Sequence, residues 1–436
     1  MGSNDNTKIE PNGNATTGSN SSETTPNLAF IPPPFQHAIV AEAGDRIIIR
    51  DDVPLPVLDI HEFLVRTDAW AINPSDTKMR GDFVTPGAML GCDYAGTVVA
   101  RGPGVTDSVI KIGDRVCGAQ YEMNAKRPYR AAFGEFNIPT GPFWLKLPDE
   151  VSTEGGATLS AGLGTAGLAL RLLGFELPFD FELDLDSDLG LGQDQSQGQG
   201  PDGQTLDTDR DGHGHTPTSV QKKQIQKQKP AYVLVYGGGT ATATIAIQLL
   251  KLIDMIPITA CSPVHAERLK SYGAETTFDY HEPDCANQIK TYTKNNLRYA
   301  LDCITTIEST TFCFKALGRA GGKYVSLDPF TASAATRATV KTDWVLGPSL
   351  FGEGCVWPDP YARPPSPELL VYGTRLWAWA QRLLDGGRLA HHPVRVLEAE
   401  AEAGGGGGLD KVLVGMEMVA KRELRGEKCV VKLKRT

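Results

Sequence analysis

The chain has 436 residues, enough for two or three folded units at roughly 150 residues each and too many for a small disulfide-stapled module. Its 43 Lys and Arg against 52 Asp and Glu give a formal charge of −9, a sign that opposes non-specific attraction to nucleic acid or anionic lipid. The eight cysteines are scattered and form no Cys-x-x-Cys pair, which excludes a zinc ribbon and reads as the reduced thiols of a cytoplasmic protein.

Residues 1–29 are polar and rich in Asn, Ser and Thr, lack the basic start and apolar stretch of a signal peptide, and read as a disordered tail. From Phe35 to Lys146, short β-branched runs broken by Gly, Pro and Asp (AIVAEAGDRIIIR, FLVRTDAWAI, GTVVARGPGV, GDRVCGA) predict a compact β-rich domain. The run GGATLSAGLGTAGLALRLLG is too long for one strand and predicts a helix or helix pair leading to a second domain. Neither it nor any other run reaches the roughly 20 uninterrupted apolar residues of a membrane span, so a soluble protein is expected. Residues 180–229, dominated by Asp, Gln and Gly, predict a disordered insertion; His213 and His215 within it are read as incidental rather than as a metal pair.

Beyond the insertion, AYVLVY, IPITAC, ETTFDY, RYALDCI and GKYVSL are strand candidates. They alternate with the helical patterns TATIAIQLLKL, HAERLKSYG, ANQIKTYTKNN and ESTTFCFKALG, which makes the fold class α/β with a doubly wound parallel sheet. Gly404–Gly408 reads as a loop tip. The stretch from Asp343 ends in an amphipathic helix, LVGMEMVAKREL, and a strand, KCVVKLK, expected to dock on the first β domain.

The most informative segment is VLVYGGGTATATIAIQLL, a buried-type strand running through a Gly-rich turn into a helix. In that context backbone N–H groups at a helix N-terminus cradle a dinucleotide pyrophosphate. Gly237, Gly238 and Gly239 supply the close approach, while Ala241 and Ala243 stand where later glycines of the fingerprint fall; an ordinary βα turn is the competing reading. About 20 residues on, an NAD enzyme places an acidic residue on the ribose 2′-hydroxyl. Here the strand ends in Ala260, Cys261, Ser262, Pro263, Val264 and His265, with Arg268 and Lys270 following. No acid ends that strand, and hydroxyl, imidazole and cationic groups suit a 2′-phosphate, so NADPH is the expected cofactor. Glu267 stands against this unless it faces water, and Arg268 and Lys270 read equally well as a solvated helix face.

GTVVARGPGV, KIGDRV and AINPSDTKMRG, with the strand–turn–helix above, resemble the medium-chain dehydrogenase/reductase superfamily in its quinone-reductase-like branch, from about Phe30 to the C-terminus. The resemblance implies a GroES-like β-rich catalytic domain (30–165), a Rossmann NADP-binding domain (166–342) and a return to the catalytic domain (343–436). In the zinc enzymes of that superfamily a Cys and a His-Glu pair hold the catalytic metal; the matching positions here are Asn73 and Cys92–Asp93, and the segment at Ala161 and Gly162 offers no third thiolate. One thiol without partners does not retain zinc, and no four-cysteine lobe lies between Asp114 and Lys146, so a metal-free enzyme is expected. More specifically, FIPPP, DYAGTVV, GDRVCGAQ, TYTKNNLRYALDCIT, ESTTFCF, GRAGGKYVSL and FGEG, in this order, resemble the stand-alone, trans-acting enoyl reductases of fungal polyketide and polyketide-peptide pathways, the lovastatin type among them.

That family implies NADPH-dependent reduction of an enoyl thioester tethered to the carrier protein of a separate polyketide synthase, by a monomer. A quinone or enone reductase acting on small molecules, and an NADPH-binding partner without catalysis, are the competing functions. Lys78 and Thr165 are the expected catalytic pair, since without zinc the developing enolate needs a hydrogen-bond donor or a nearby cation; alone, Lys78 reads as an exposed loop lysine and Thr165 as a helix hydroxyl. The resemblance places Ser75, Asp76, Thr77, Lys78, Gly239, Thr240, Ala241, Thr242, Ser262, Pro263, Val264, His265, Tyr280, Leu327, Asp328, Arg425 and Gly426 around the cofactor; Asp76 is alternatively a helix cap. Along the acyl pocket it places Ala166, Gly167, Leu168, Ala169, Leu170, Arg171, Leu172 and Leu173, with Pro348, Ser349, Leu350, Phe351 and Gly352. Such an apolar run is core by default. Cys92 where Thr is expected, Arg425 where a small polar residue is common, and the long insertion depart from the pattern.

Overall fold

A computed structural model describes residues 30–179, 229–401 and 406–434. The expected tail, and the expected insertion up to residue 228 with His213 and His215, lie outside them. Residues 1–31 and 32–436 separate as two units, and everything below concerns the second.

A hairpin of β1 (Phe35–Glu42) and β2 (Arg46–Pro54) opens the fold. The expected β-rich region then supplies β3 (Phe63–Ala71), β4 (Asp93–Arg101), β5 (Arg115–Ala119), the short β6 (Phe136–Asn137) and β7 (Trp144–Lys146). Next come β8 (Tyr232–Tyr236), β9 (Ile256–Cys261), β10 (Thr276–Asp279), β11 (Tyr299–Asp302), β12 (Gly322–Ser326) and β13 (Val340–Trp344). Finally β14 (Val394–Glu400) and β15 (Lys428–Lys434) return to the first sheet. Its order is β14-β15-β3-β4-β5-β7, with β6 on β3, so the C-terminal strand docks where its sequence placed it. Buried residues run almost the whole length of β3, as befits a strand covered on both faces.

β8–β13 form a parallel sheet in the order β10-β9-β8-β11-β12-β13, which in sequence ranks is 3-2-1-4-5-6, the order of dinucleotide-binding sheets with the chain reversing between the first and fourth strands. The helices Ala241–Leu252, Ala266–Ser271, Cys285–Tyr292 and Ile307–Ala316 alternate with its strands as the sequence patterns predict. β13 was not among the predicted strands: of its five residues only Val340 is buried and three are exposed, so it carries no apolar run to read.

Two expected domain boundaries fall inside elements. The 342/343 division cuts β13, and 165/166 cuts the helix Ser160–Leu173. The span Thr153–Leu173 has the length and mean hydropathy of a membrane helix, but Glu154 and Arg171 interrupt it and 78% of its most apolar 18-residue window is buried within the protein. It packs against the Ala241–Leu252 helix, in one apolar cluster with Val233, Val235, Leu301 and Val325 from the parallel sheet.

Candidate active site

The Gly-rich turn follows β8, and local sterics explain its composition. Gly237 has φ +79°, and a Cβ on Gly238 would lie 2.1 Å from Thr259 Oγ1, so side chains are excluded where the turn passes β9. Thr240 then caps the Ala241–Leu252 helix, its Oγ1 accepting from the Ala243 N–H at 3.2 Å. Uncovered N–H groups at this helix start and the absence of side chains before it fit a pyrophosphate. Ala241 and Thr242 form the first turn.

At the end of β9, Ser262 Oγ donates to Tyr280 Oη at 3.3 Å, and Pro263–His265 form a short 3-10 turn on which Val264 is largely exposed. Arg268 donates to His265 Nδ1 at 3.3 Å. Burial, and then the Arg268 charge, hold the imidazole below its usual range. Gly426 closes on the same spot: a Cβ there would stand 2.4 Å from His265 and 2.8 Å from the Arg268 guanidinium. His265 and Gly426, expected separately, therefore meet at Arg268, Ser262 and Tyr280 meet each other, and the exposed Arg425 adjoins Gly426.

Lys78 ends the 3-10 turn Asp76–Lys78, and its ammonium donates to Asp328 Oδ2 at 2.5 Å. Asp328 lies two residues past β12; between them Leu327 joins to the β11 loop by donating its N–H to Thr305 Oγ1 at 3.2 Å. Sequence reasoning missed Tyr361, whose hydroxyl donates to Asp328 Oδ1 at 2.6 Å; burial, then Asp328, push this phenol above its usual range. Thr165 is half-buried in the Ser160–Leu173 helix and donates to the Ala161 carbonyl at 2.7 Å. Thr77 donates to the Pro74 carbonyl at 2.8 Å.

Asp76 does not face this opening. Its side chain is fully buried and Oδ2 accepts from the Asn73 N–H at 2.6 Å, so it fastens its own turn rather than touching a cofactor or capping a helix. Beside it, Cys92 donates to Glu122 Oε1 at 3.3 Å and lies 3.8 Å from Ser75 Oγ. Asp76, Cys92 and Glu122 bring one ligand-type atom each within 4.8 Å of one another. Burial pushes all three groups above their ordinary ranges. The positions matching the zinc ligands are also spoken for: Asp93 accepts from Asn73 Nδ2 at 3.0 Å, from the Ala161 N–H at 2.7 Å and from the buried ammonium of Lys428. With an amide at Asn73 and a carboxylate already paired with Lys428 at Asp93, the positions matching the zinc ligands do not fit that metal.

The acyl-pocket candidates divide. Ala166, Leu168, Ala169, Leu170 and Leu173 are buried in the apolar cluster, and a Cβ on Gly167 would lie 2.3 Å from Leu376. These surfaces are already covered, so they are packing residues rather than pocket wall. Arg171 pairs with Glu368 and lies over the Tyr372 ring, and Leu172 packs partly buried against the cluster. In the 3-10 turn Gly347–Phe351, Leu350 is buried, but Pro348, Ser349, Phe351 and the capping Gly352 are half-buried, with the Phe351 ring 4.5 Å from Phe143 and 6.0 Å from Tyr121.

Residues 59–141 match the alcohol dehydrogenase GroES-like domain. Over 93% of its length the chain is 49% identical to the enoyl reductase component of lovastatin nonaketide synthase from Aspergillus terreus, covering 98% of that protein. Over 91% it is 40% identical to the trans-enoyl reductase FSL5 of Gibberella zeae, covering 97%. The chain belongs to the fungal trans-enoyl reductases. An alcohol dehydrogenase superfamily protein from Novosphingobium aromaticivorans, 18% identical, shares the fold with a TM-score of 0.61 over 92% of this chain and 100% of that one. Membership makes this an oxidoreductase of the medium-chain type, using a nicotinamide cofactor. Within this trans-enoyl reductase the site features without sequence signal are Tyr361, Glu122 and Lys428, each meeting its partner only through the fold.

Proposed function

We propose that the chain reduces the α,β double bond of an enoyl thioester carried by a separate polyketide synthase, using NADPH and no metal. The observation that carries the reading is the Lys78–Asp328 contact, which sets a cation from the β-rich region at the carboxyl end of a parallel strand, where open α/β sheets bind their ligands. When bound, the cofactor supplies a hydride to the β-carbon. Lys78 is 55% exposed, so exchanging Asp328 for a thioester oxygen takes little free energy; the ammonium then stabilises the enolate while Asp328 keeps the Tyr361 hydroxyl. Solvent water supplies the proton that ends on the α-carbon, so the double bond gains one hydride and one proton.

Gly239–Thr242 hold the pyrophosphate in this reading. Arg268, with no carboxylate within ion-pairing distance among the described residues and a buried Nε without a partner, meets a 2′-phosphate together with Ser262 and His265. β1–β7 with β14 and β15 form the catalytic part and β8–β13 the cofactor part of a cytoplasmic monomer that meets its synthase in trans. Phe351 with the half-buried residues of its turn borders the acyl chain.

The test measures NADPH oxidation with an enoyl pantetheine thioester and with a simple quinone. Turnover on the thioester is expected; strong quinone turnover with none on the thioester rejects the reading in favour of a small-molecule quinone reductase. Tight NADPH binding without oxidation of either points to a non-catalytic partner.

A further inference from the structure

The parallel sheet has a second end. At the amino ends of its strands lies a cleft of 910 Å³ whose charged lining residues are all basic: Lys290, Lys294, Lys315, Arg319 and Arg337. Lys290 belongs to the Cys285–Tyr292 helix and Lys315 to the Ile307–Ala316 helix, while Arg319 and Arg337 precede β12 and β13. Among the described residues no carboxylate comes within 4.0 Å of the Lys290, Lys294, Lys315 or Arg319 cation. Arg337 is built in, donating to the carbonyls of Phe314, Leu317 and Gly318 at 3.1, 2.9 and 2.6 Å. It fixes one wall and leaves the other four cations as the adjustable donors. Five like charges in one cleft of a chain whose net charge is −9 are mutually repulsive, and an anionic occupant turns that repulsion into attraction.

The place of the cleft narrows the occupant. Gly237, Ser262 and Asp328 lie at the carboxyl ends of the same strands, and five-residue strands such as β12 rising about 3.3 Å per residue set the two ends about 17 Å apart before the loops are added. A carrier protein seated in the cleft would present its acyl chain at the wrong end of the sheet. A partner seated there leaves the cofactor turn and Lys78 open.

We propose that this cleft docks an acidic surface segment of the partner synthase other than its acyl carrier, so that recruitment and substrate delivery use opposite ends of one sheet. The inference rests on the trans-acting reading above. It is tested with the triple variant Lys294→Glu, Lys315→Glu, Arg319→Glu, all exposed and none placed in the cofactor or substrate machinery. The probes are a free enoyl pantetheine thioester, an isolated enoyl-carrier protein, a fluorescent deca-glutamate peptide and the intact lovastatin nonaketide synthase, the last because its enoyl reductase component is 49% identical to this chain.

The wild-type protein is expected to bind the peptide and the synthase with affinities that fall as salt rises from 50 to 200 mM. The triple variant is expected to lose at least tenfold in both, with turnover of the free thioester and the isolated carrier unchanged. Unchanged thioester turnover also shows the variant to be folded; if it is lost, the Lys294→Gln, Lys315→Gln, Arg319→Gln variant replaces it and must show the same loss of binding. Equal binding of wild type and variant, wild-type binding to neither anionic probe, or an equal loss on the isolated carrier overturns the proposal. Absence of thioester turnover in the wild type would instead strike the enzymatic reading, while the binding arms still report on the cleft.

Discussion

Lys78–Asp328 and Lys428–Asp93 are both ammonium–carboxylate pairs between residues far apart in the chain, 250 and 335 positions. The side chains of the first are 55% and 26% exposed, those of the second 5% and 0%. The exposed pair stands at the strand end where a ligand is expected, and water can replace either partner, so its ions are free to regroup. The buried pair is surrounded by fixed donors from Asn73 and Ala161, at a position that the superfamily resemblance matches to a zinc ligand. Removing one member leaves an uncompensated buried charge. One chemistry thus serves a solvent-open contact at the surface and a structural joint in the interior.

The sharpest break of this comparison is Lys428→Met. It should lower stability by about 3–5 kcal/mol, read as a shift of the urea midpoint, and adding Asp93→Asn should recover a large part because the orphaned charge is then gone. If Lys428→Met unfolds at the wild-type midpoint, the joint is not structural. Lys78→Ala should do the reverse. Its stability effect stays within about 1 kcal/mol, whereas thioester-dependent NADPH oxidation falls by about 100-fold, the scale of a lost electrostatic donor. Retained activity would remove Lys78 from the site.

How far the sequence reaches follows the same division. The turn at Gly237–Thr240 and the strands β8–β12 are legible because their signals are local: an apolar run, three glycines, then a helical period. Lys78 and Asp328 were legible only through the family resemblance, each in its own motif. Lys428 lies in KCVVKLK, where alternation predicts a strand but says nothing about which lysine turns inward to Asp93. Tyr361 and Glu122 sit in irregular segments with no periodicity at all, and their roles arise from packing. The Ala166–Leu173 run shows the opposite failure. The family match assigned it to a pocket, yet six of its eight residues are buried in the apolar core, Gly167 against Leu376, the core reading that its composition favoured by itself.

Acid should attack the interior before the exposed pair. His392 is buried, its ring 2.8 Å from Thr244 Oγ1, and burial, then the charges of Arg268 and Lys428, push it down to about 3. A base held below its unfolded value, about 6.5, gives stability that is complete above pH 6.5 and is lost as pH falls toward 3, because the unfolded chain binds the extra proton. At pH 5 the loss is about 2 kcal/mol. Urea midpoints of the wild type should therefore fall between pH 7.5 and 5 more steeply than those of His392→Asn; parallel slopes would show that the imidazole is not held neutral.

The smallest expected effect concerns Arg268, which belongs to neither pair. Its guanidinium touches His265 and lies where a Cβ on Gly426 would collide with it, and it meets no carboxylate among the described residues. Among the described residues its positive charge therefore has no carboxylate partner, the condition in which a cation can serve a phosphate ester. Arg268→Ala should raise KM for NADPH by about tenfold, the worth of roughly 1.4 kcal/mol, and leave KM for NADH nearly unchanged, since NADH lacks the 2′-phosphate. Both reductants must be measured, because a general loosening of the Ser262–His265 turn would raise the two constants together. Equal increases would assign Arg268 to packing, and the cofactor preference would then have to come from Ser262 and the exposed Arg425, which offer a hydroxyl and a cation.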